Sequence, residues 1–371
     1  MDGQALRHKL AISDLRKTYG PVTAVAGVSL DVREGEFVTL LGPSGSGKTT
    51  LLMMVAGLTW PDSGEVRIDD HLCTYLASHK RDIGMVFQNY ALFPHMTVFE
   101  NIAFPLRMRR MPDGEIADKV RTALERVQLP DVGERPTSAL SGGQQQRIAL
   151  ARCIVYEPSI ILMDEPLGAL DKKLREQMQL EIKNLHNQLG ITVLYVTHDQ
   201  EEAMVMSDKI CLFNSGAIEQ VGSPEEMYFA PQTKFAASFL GESNILSGRV
   251  IAADSERLTL ELQGNTTIEA PLRFAVEQGQ NVSFMVRPES ITIIEEAAKS
   301  QNVIEGEVLD RILTGGVTKY FVEVAGEVTM SACSLTLRSD RAHRPGERVR
   351  LGWAPQDTVV LADTTAQRES C

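Results

Sequence analysis

FVTLLGPSGSGKTT, residues 37–50, decides the fold of the first half of this chain. The nearly continuous apolar run to Leu41 reads as a strand buried on both faces. Small residues then lead to Lys48, Thr49 and a helical run, LLMMVA. The segment fits G-x-x-x-x-G-K-[ST] without a mismatch. Small side chains let successive backbone N–H groups turn toward phosphate oxygens, and the following helix adds its positive end. Lys48 brings a cation to the β and γ phosphates, and the Thr49 hydroxyl is a ligand for Mg²⁺. Gly42, Pro43, Ser44, Gly45, Ser46, Gly47, Lys48, Thr49 and Thr50 are therefore the expected nucleotide-binding segment.

Working outward, apolar β-type runs alternate with helical patterns over residues 1–240, the signature of an α/β domain with a largely parallel sheet. IGMVF (83–87), IILM (160–163) and ITVLYVT (191–197) are further buried-strand runs. Leu174, Met178, Ile182, Leu185 and Leu189 recur at helical spacing, with Gly190 as the expected C-cap. A phosphate loop needs a carboxylate on its metal side. IILM ends in Asp164-Glu165-Pro166, at the C-terminal edge of a strand, where ligand sites of α/β sheets lie. Asp164 is expected in the Mg²⁺ shell and Glu165 as the group that polarises the attacking water. The strand 191–197 ends likewise in His198, an expected γ-phosphate contact.

A second glycine-rich turn, LSGGQQQR at 140–147, also opens a helix and could also bind phosphate. Read alone it is an ordinary capped helix start. Together the phosphate loop, Gln88 closing IGMVFQ, LSGGQ, IILMDEP and the THD histidine, in that order, resemble the ATP-binding cassette (ABC) ATPases. The resemblance implies ATP as the nucleotide and a head-to-tail pair of cassettes, in which Ser141, Gly142, Gly143 and Gln144 of one chain face the ATP on the other. The expected assembly is a homodimer. It also implies that Tyr19 stacks on adenine, that Gln88 senses Mg²⁺ and the attacking water, and that Asp171 communicates across the dimer. The family more often has serine where this chain has Gly168, which leaves any side-chain contact at 168 open.

After about residue 241 the texture changes to short alternating segments, as in an all-β unit. VSFMVRPESITII (282–294) and VRLGWAPQDTVVL (349–361) match in their apolar positions, with Pro288 on Pro355, which suggests a duplicated β-barrel unit. The expected organisation is a nucleotide-binding domain over 1–240, with a helical subdomain at about 89–157, and a regulatory or dimerisation domain over 241–371. The latter resembles the OB-like (TOBE) domain of importer ATPases.

Charge and composition limit the partners. The net charge is −12, divided equally between residues 1–240 and 241–371, so neither part has the basic excess of a nucleic-acid binder. No run approaches the ~18 apolar residues that span a bilayer, and MDGQALRHKL has no apolar core of a secretory signal. Five scattered cysteines form neither a disulfide framework nor a metal site.

Among ABC ATPases, the 92 residues between Lys48 and Ser141 leave no room for the coiled coil of repair-type relatives. A single cassette differs from the translation type, and Glu165 argues against a regulator without turnover. The aromatic-rich NYALFPHMTVFENIAFPL (89–106) resembles the groove that receives a permease helix. The implied protein is the ATPase motor of an importer, on the cytoplasmic face of the inner membrane. Two permease subunits and an external solute-binding protein complete the implied system. FQNYALFPHMTVFENIAFPL and GESNIL look most like the spermidine/putrescine type, with ferric iron and sugar importers as alternatives and a soluble ABC ATPase as the other class.

Overall fold

A computed structural model describes residues 8–168, 170–264, 266–295, 302–324, 328–337 and 343–362; the polar C-terminal segment TTAQRESC and Cys371 lie outside them. Contacts divide the chain into two compact units, Met1–Pro224 and Glu225–Cys371.

The first unit opens with a long hairpin, β1 (His8–Tyr19) and β2 (Val22–Arg33), followed by β3 (Phe37–Leu41) and α1 (Lys48–Ala56). Next come β4 (Ser63–Ile68), β5 (His71–Leu72), β6 (Ile83–Val86) and three helices, α2 (Val98–Met108), α3 (Asp113–Arg126) and α4 (Gly142–Ile154). The unit continues through β7 (Ile160–Asp164), α5 (Lys172–Leu189), β8 (Thr192–Thr197), α6 (Gln200–Met206), β9 (Lys209–Asn214) and β10 (Ala217–Gly222).

A six-stranded sheet runs β10-β9-β3-β8-β7-β6, parallel except for β10. Its central strands alternate between two cores, as the two-residue period requires. Val38, Leu40, Ile160, Leu162, Leu194 and Val196 face α1 and the antiparallel sheet β2-β1-β4-β5. Phe37, Ile161, Met163, Val193 and Tyr195 face the helices α2–α6. Both faces are covered, which is why these strands are apolar throughout. No helix among the described residues is long and apolar enough to cross a membrane.

The boundary falls at the first residue of α7 (Pro224–Phe229), and α8 (Lys234–Phe239) follows in the second unit. β11 (Asn244–Ala253), β12 (Arg257–Glu261), β13 (Thr267–Pro271), β14 (Asn281–Val286) and β15 (Thr292–Ile294) follow. β16 (Asn302–Leu313), β17 (Val317–Val324), β18 (Val328–Leu335), β19 (Arg348–Trp353) and β20 (Val359–Leu361) repeat the pattern. The sheets are β13-β12-β11-β14-β20 and β15-β19-β16-β17-β18, so each five-strand repeat lends its last strand to the other. The exchange is reciprocal in register: Met285 pairs with Val359, and Gly352 with Thr292.

Two asparagines at equivalent positions lock the exchange. Asn244 accepts from the Ser331 N–H at 2.6 Å and donates to its carbonyl at 2.8 Å. Asn302 does the same for Glu269, at 2.8 Å in both directions. Each thus satisfies one outward N–H and C=O on the third strand of the other repeat, an edge otherwise open to further pairing.

Candidate active site

Adjacent parallel strands β3, β8, β7 and β6 end on one edge of the sheet, so topology alone gathers most of the residues expected from the sequence. The phosphate loop follows β3, His198 follows β8, Asp164 and Glu165 close β7, and Gln88 lies two residues beyond β6.

The loop is held by close backbone approach. Gly47 has φ +102°, and a Cβ there would sit 2.1 Å from the Ala24 carbonyl oxygen. Gly216 N–H donates to the Ser46 carbonyl at 3.0 Å. Ser44 and Gly45 are exposed, and a Cβ on Gly45 would meet nothing within 4 Å. α1 starts at Lys48 with no side-chain cap, leaving its first N–H groups to a ligand. Lys48 Nζ donates to the Gly42 and Pro43 carbonyls at 2.8 and 2.9 Å. Burial lowers its pKa, while Glu165 and Asp164 pull it upward.

Thr49 Oγ1 donates to Asp164 Oδ1 at 2.9 Å, which joins the hydroxyl and carboxylate expected in the metal shell. Desolvation raises the Asp164 pKa, partly offset by that hydrogen bond. Glu165 has φ +43°, an uncommon backbone state for a residue with a side chain. Its N–H is fixed on the Val196 carbonyl at 3.0 Å, and its Oε2 lies 3.2 Å from His198 Nδ1. Gln88 is exposed. A Cβ built on Gly168 would be 3.7 Å from the Gln88 amide nitrogen and 3.5 Å from the Glu165 carbonyl, so a serine fits there without strain; that carbonyl already accepts from the Gly168 N–H at 3.2 Å.

The remaining expected residues are not part of this cluster. Ser141 caps α4 through a capping box, with Gln144 N–H on its Oγ at 3.4 Å and Gln144 Oε1 on the Ser141 N–H at 3.0 Å. Gly143 is tight against Leu174, 3.2 Å from a built Cβ. Among the described residues no hydrogen bond or ion pair joins Ser141, Gly142, Gly143 or Gln144 to the phosphate loop. Asp171 is exposed and caps α5 by accepting from Leu174 N–H at 3.0 Å. Tyr19, at the tip of the β1–β2 hairpin, is 51% exposed with Lys17 Nζ 5.4 Å from its ring centre.

Sequence reading missed three arginines that hold this frame by backbone carbonyls. Arg81, 2% exposed, donates to Met54 and Val55 at the end of α1 and to Thr74 and Leu76. Arg175 donates to the Leu170 carbonyl and pairs with Asp199 beside His198, at 3.1 Å each. Arg152, in the last turn of α4, donates to Tyr90 and Ala91. Carbonyl acceptors carry no residue-type signal, so nothing in the sequence marked these arginines.

A phosphate loop with a threonine–carboxylate pair beside it, a second carboxylate and a histidine, on the edge of a parallel sheet flanked by an antiparallel one, defines a cassette-type nucleoside triphosphatase. Residues 25–168 match the ABC transporter family model and residues 284–361 the TOBE domain model. The Rubrobacter xylanophilus spermidine/putrescine import ATP-binding protein PotA is 44% identical, over 94% of this chain and 93% of that protein. The Nitrosospira multiformis protein of the same name is 43% identical, over 95% and 99%. The dimeric structure of a bacterial ABC transporter cassette superposes with TM-score 0.53 at 36% identity, covering 58% of this chain and 98% of that one. CbiO1 of Clostridium perfringens gives 0.56 at 29%, covering 59% and 90%. This chain belongs to the ABC transporter family of ATP-binding proteins.

Proposed function

We propose that this chain is the ATP-hydrolysing motor of a polyamine importer. The observation that carries the reading is the meeting of Lys48, Thr49, Asp164, Glu165, His198 and Gln88 at four adjacent strand ends, in a chain similar along most of its length to spermidine/putrescine import ATPases. The open cradle of Ser44 and Gly45 and the uncapped start of α1 fit a polyphosphate. The hard oxygen donors of Thr49 and Asp164, with Gln88 across the edge, fit Mg²⁺. When bound, that ion offsets the charge of the β and γ phosphates.

In this reading Lys48 binds the phosphates, Glu165 orients and polarises water, and His198 holds the γ-phosphate side through its contact with Glu165. Tyr19, exposed at its hairpin tip, stacks on adenine. Ser141, Gly142, Gly143 and Gln144 complete the site of a second copy, and Asp171 adjoins that interface. ATP binding closes the homodimer and hydrolysis reopens it. Partly exposed Leu92, Phe93, Phe99 and Phe104 supply the apolar surface for permease subunits. The motor therefore sits on the cytoplasmic face of the inner membrane, with an external solute-binding protein delivering cargo. Residues 241–371 act as a dimerisation and regulatory element.

The test is purification of the tagged chain from detergent-solubilised native membranes, then ATPase assay with and without polyamine and its binding protein. Co-purifying permeases and polyamine-stimulated turnover are expected. Permeases without polyamine stimulation would move the cargo to iron or sugar. ATP turnover with no membrane partner would move the chain to the soluble class.

A further inference from the structure

The segment after Gln88 departs from ordinary backbone geometry twice in succession. Tyr90 has φ +61° and Ala91 +46°, a left-handed pair with neither position a glycine, one of them aromatic. Such residues persist only where surroundings hold them. Two groups hold the segment, Asn101 just beyond the pair and Arg152 at the pair itself. Asn101 of α2, fully buried, accepts the Phe93 N–H at 2.8 Å and donates to the Phe93 and Thr97 carbonyls at 3.1 and 3.0 Å. Arg152 of α4 reaches across more than sixty residues of sequence, with Nη1 on the Ala91 carbonyl at 2.7 Å and Nη2 on the Tyr90 carbonyl at 2.8 Å. The Arg152 guanidinium also lies 5.6 Å from the Phe93 ring centre. The planar fork of arginine matches two successive carbonyls as a lysine cannot.

We infer that Arg152 is a positioning residue for ATP hydrolysis: it imposes the left-handed pair at Tyr90–Ala91 and so sets where Gln88 stands over the sheet edge. The inference rests on the ATPase reading above. It adds that the helix whose first turn is Ser141–Gln144 also grips, in its last turn, the loop carrying Gln88. α4 is 13 residues long and rigid on that scale, so displacement of its signature end is transmitted to Gln88 through one guanidinium.

The full-length chain tests this. Arg152→Met keeps the apolar stem and removes the fork. Its kcat is expected to fall about tenfold or more, with KM for ATP within about twofold, as for a group that acts only on the chemical step. In a Gln88→Ala background the same substitution should change kcat by less than about twofold, because coupled residues are not additive. Adding Ala91→Gly, which adopts φ > 0 at little cost, should recover part of the loss in Arg152→Met. Hydrogen exchange of the Tyr90 and Ala91 amides, now bonded to Phe87 and Asn89 carbonyls at 2.9 and 2.7 Å, should rise in Arg152→Met and not in Gln88→Ala. Equal losses with and without Gln88, or unchanged exchange at 90–91, would overturn the inference. If Arg152→Met does not fold, Arg152→Lys takes its place in every arm, with the same criteria. A parent chain without turnover would sink the ATPase reading, while the exchange arm would still decide what Arg152 holds.

Discussion

Asn302→Ala should unfold the second unit at markedly lower temperature. Asn302 is 4% exposed and makes three hydrogen bonds, two with the Glu269 backbone and one with Thr358 Oγ1 at 3.2 Å. Each such bond contributes about 1 kcal/mol net, and stranding the partly buried Glu269 groups adds to it, for a loss of about 2–4 kcal/mol. In a unit of this size that lowers the midpoint by about 5–15 °C. The chain has two tryptophans, Trp60 in the first unit and Trp353, 2% exposed, in the second. In a Trp60→Phe parent, fluorescence therefore follows the second unit alone, which matters because a two-unit chain need not unfold in one step. Asn244→Ala, at the equivalent position of the other repeat, should produce a comparable shift. Midpoints within about 2 °C of the parent for both variants would refute the claim that these clamps hold the exchanged repeats together. A large shift for one and none for the other would refute their equivalence.

Three other outcomes follow from the geometry of the first unit. Gly47→Ala adds a Cβ 2.1 Å from the Ala24 carbonyl at φ +102°. It should weaken ATP binding at least about tenfold by calorimetry, since the loop must shift to accept a group that even unhindered costs about 1–2 kcal/mol there. Undiminished affinity would count against the cradle. Glu165→Gln should cut turnover by about 10²–10⁴ while ATP is still bound and a dimer accumulates on gel filtration; normal turnover would remove Glu165 from the chemistry. Glu202 is buried, accepts from Tyr195 and Thr197 hydroxyls at 2.7 Å each, and has its pKa raised above 4.5, chiefly by desolvation. The folded chain thus holds this proton more tightly than the unfolded one, so stability falls as pH rises from the ordinary value through the raised one. Glu202→Gln keeps an acceptor without the charge. Its thermal midpoint should gain on the parent as pH climbs through that window, and a difference independent of pH would contradict the assignment.

What the sequence disclosed tracks what a single stretch of chain can encode. β3, β7 and β8 were legible because strands covered on both faces must be apolar throughout, and α5 because one stripe of a surface helix must be apolar. The β1–β2 hairpin was not, since register shifts between Ile12 and Leu15 and between Lys17 and Thr18 break the alternation that marks a strand. The duplication at 282 and 349 was visible in apolar positions. The exchange of β15 and β20, and the two asparagines that fasten it, depend on partners tens of residues away. Asp171 illustrates a different limit: an aspartate before a helix carries the same signal whether it caps the helix alone or also faces a partner.

The illegible part of the site has a common physical form. Tyr90, Ala91 and Glu165 carry positive φ without glycine, so local preference argues against the conformations they adopt. Each is overruled by a bond from elsewhere: the Arg152 fork for the first two, the Val196 carbonyl for the third. In both places the residue so constrained is, or lies within three positions of, a group expected to touch the phosphate and its water, Glu165 or Gln88. Had flexible glycines stood there, the side chains above the sheet edge would have had freer backbones and less defined directions. The strain therefore reads as the means by which a carboxylate and an amide are aimed.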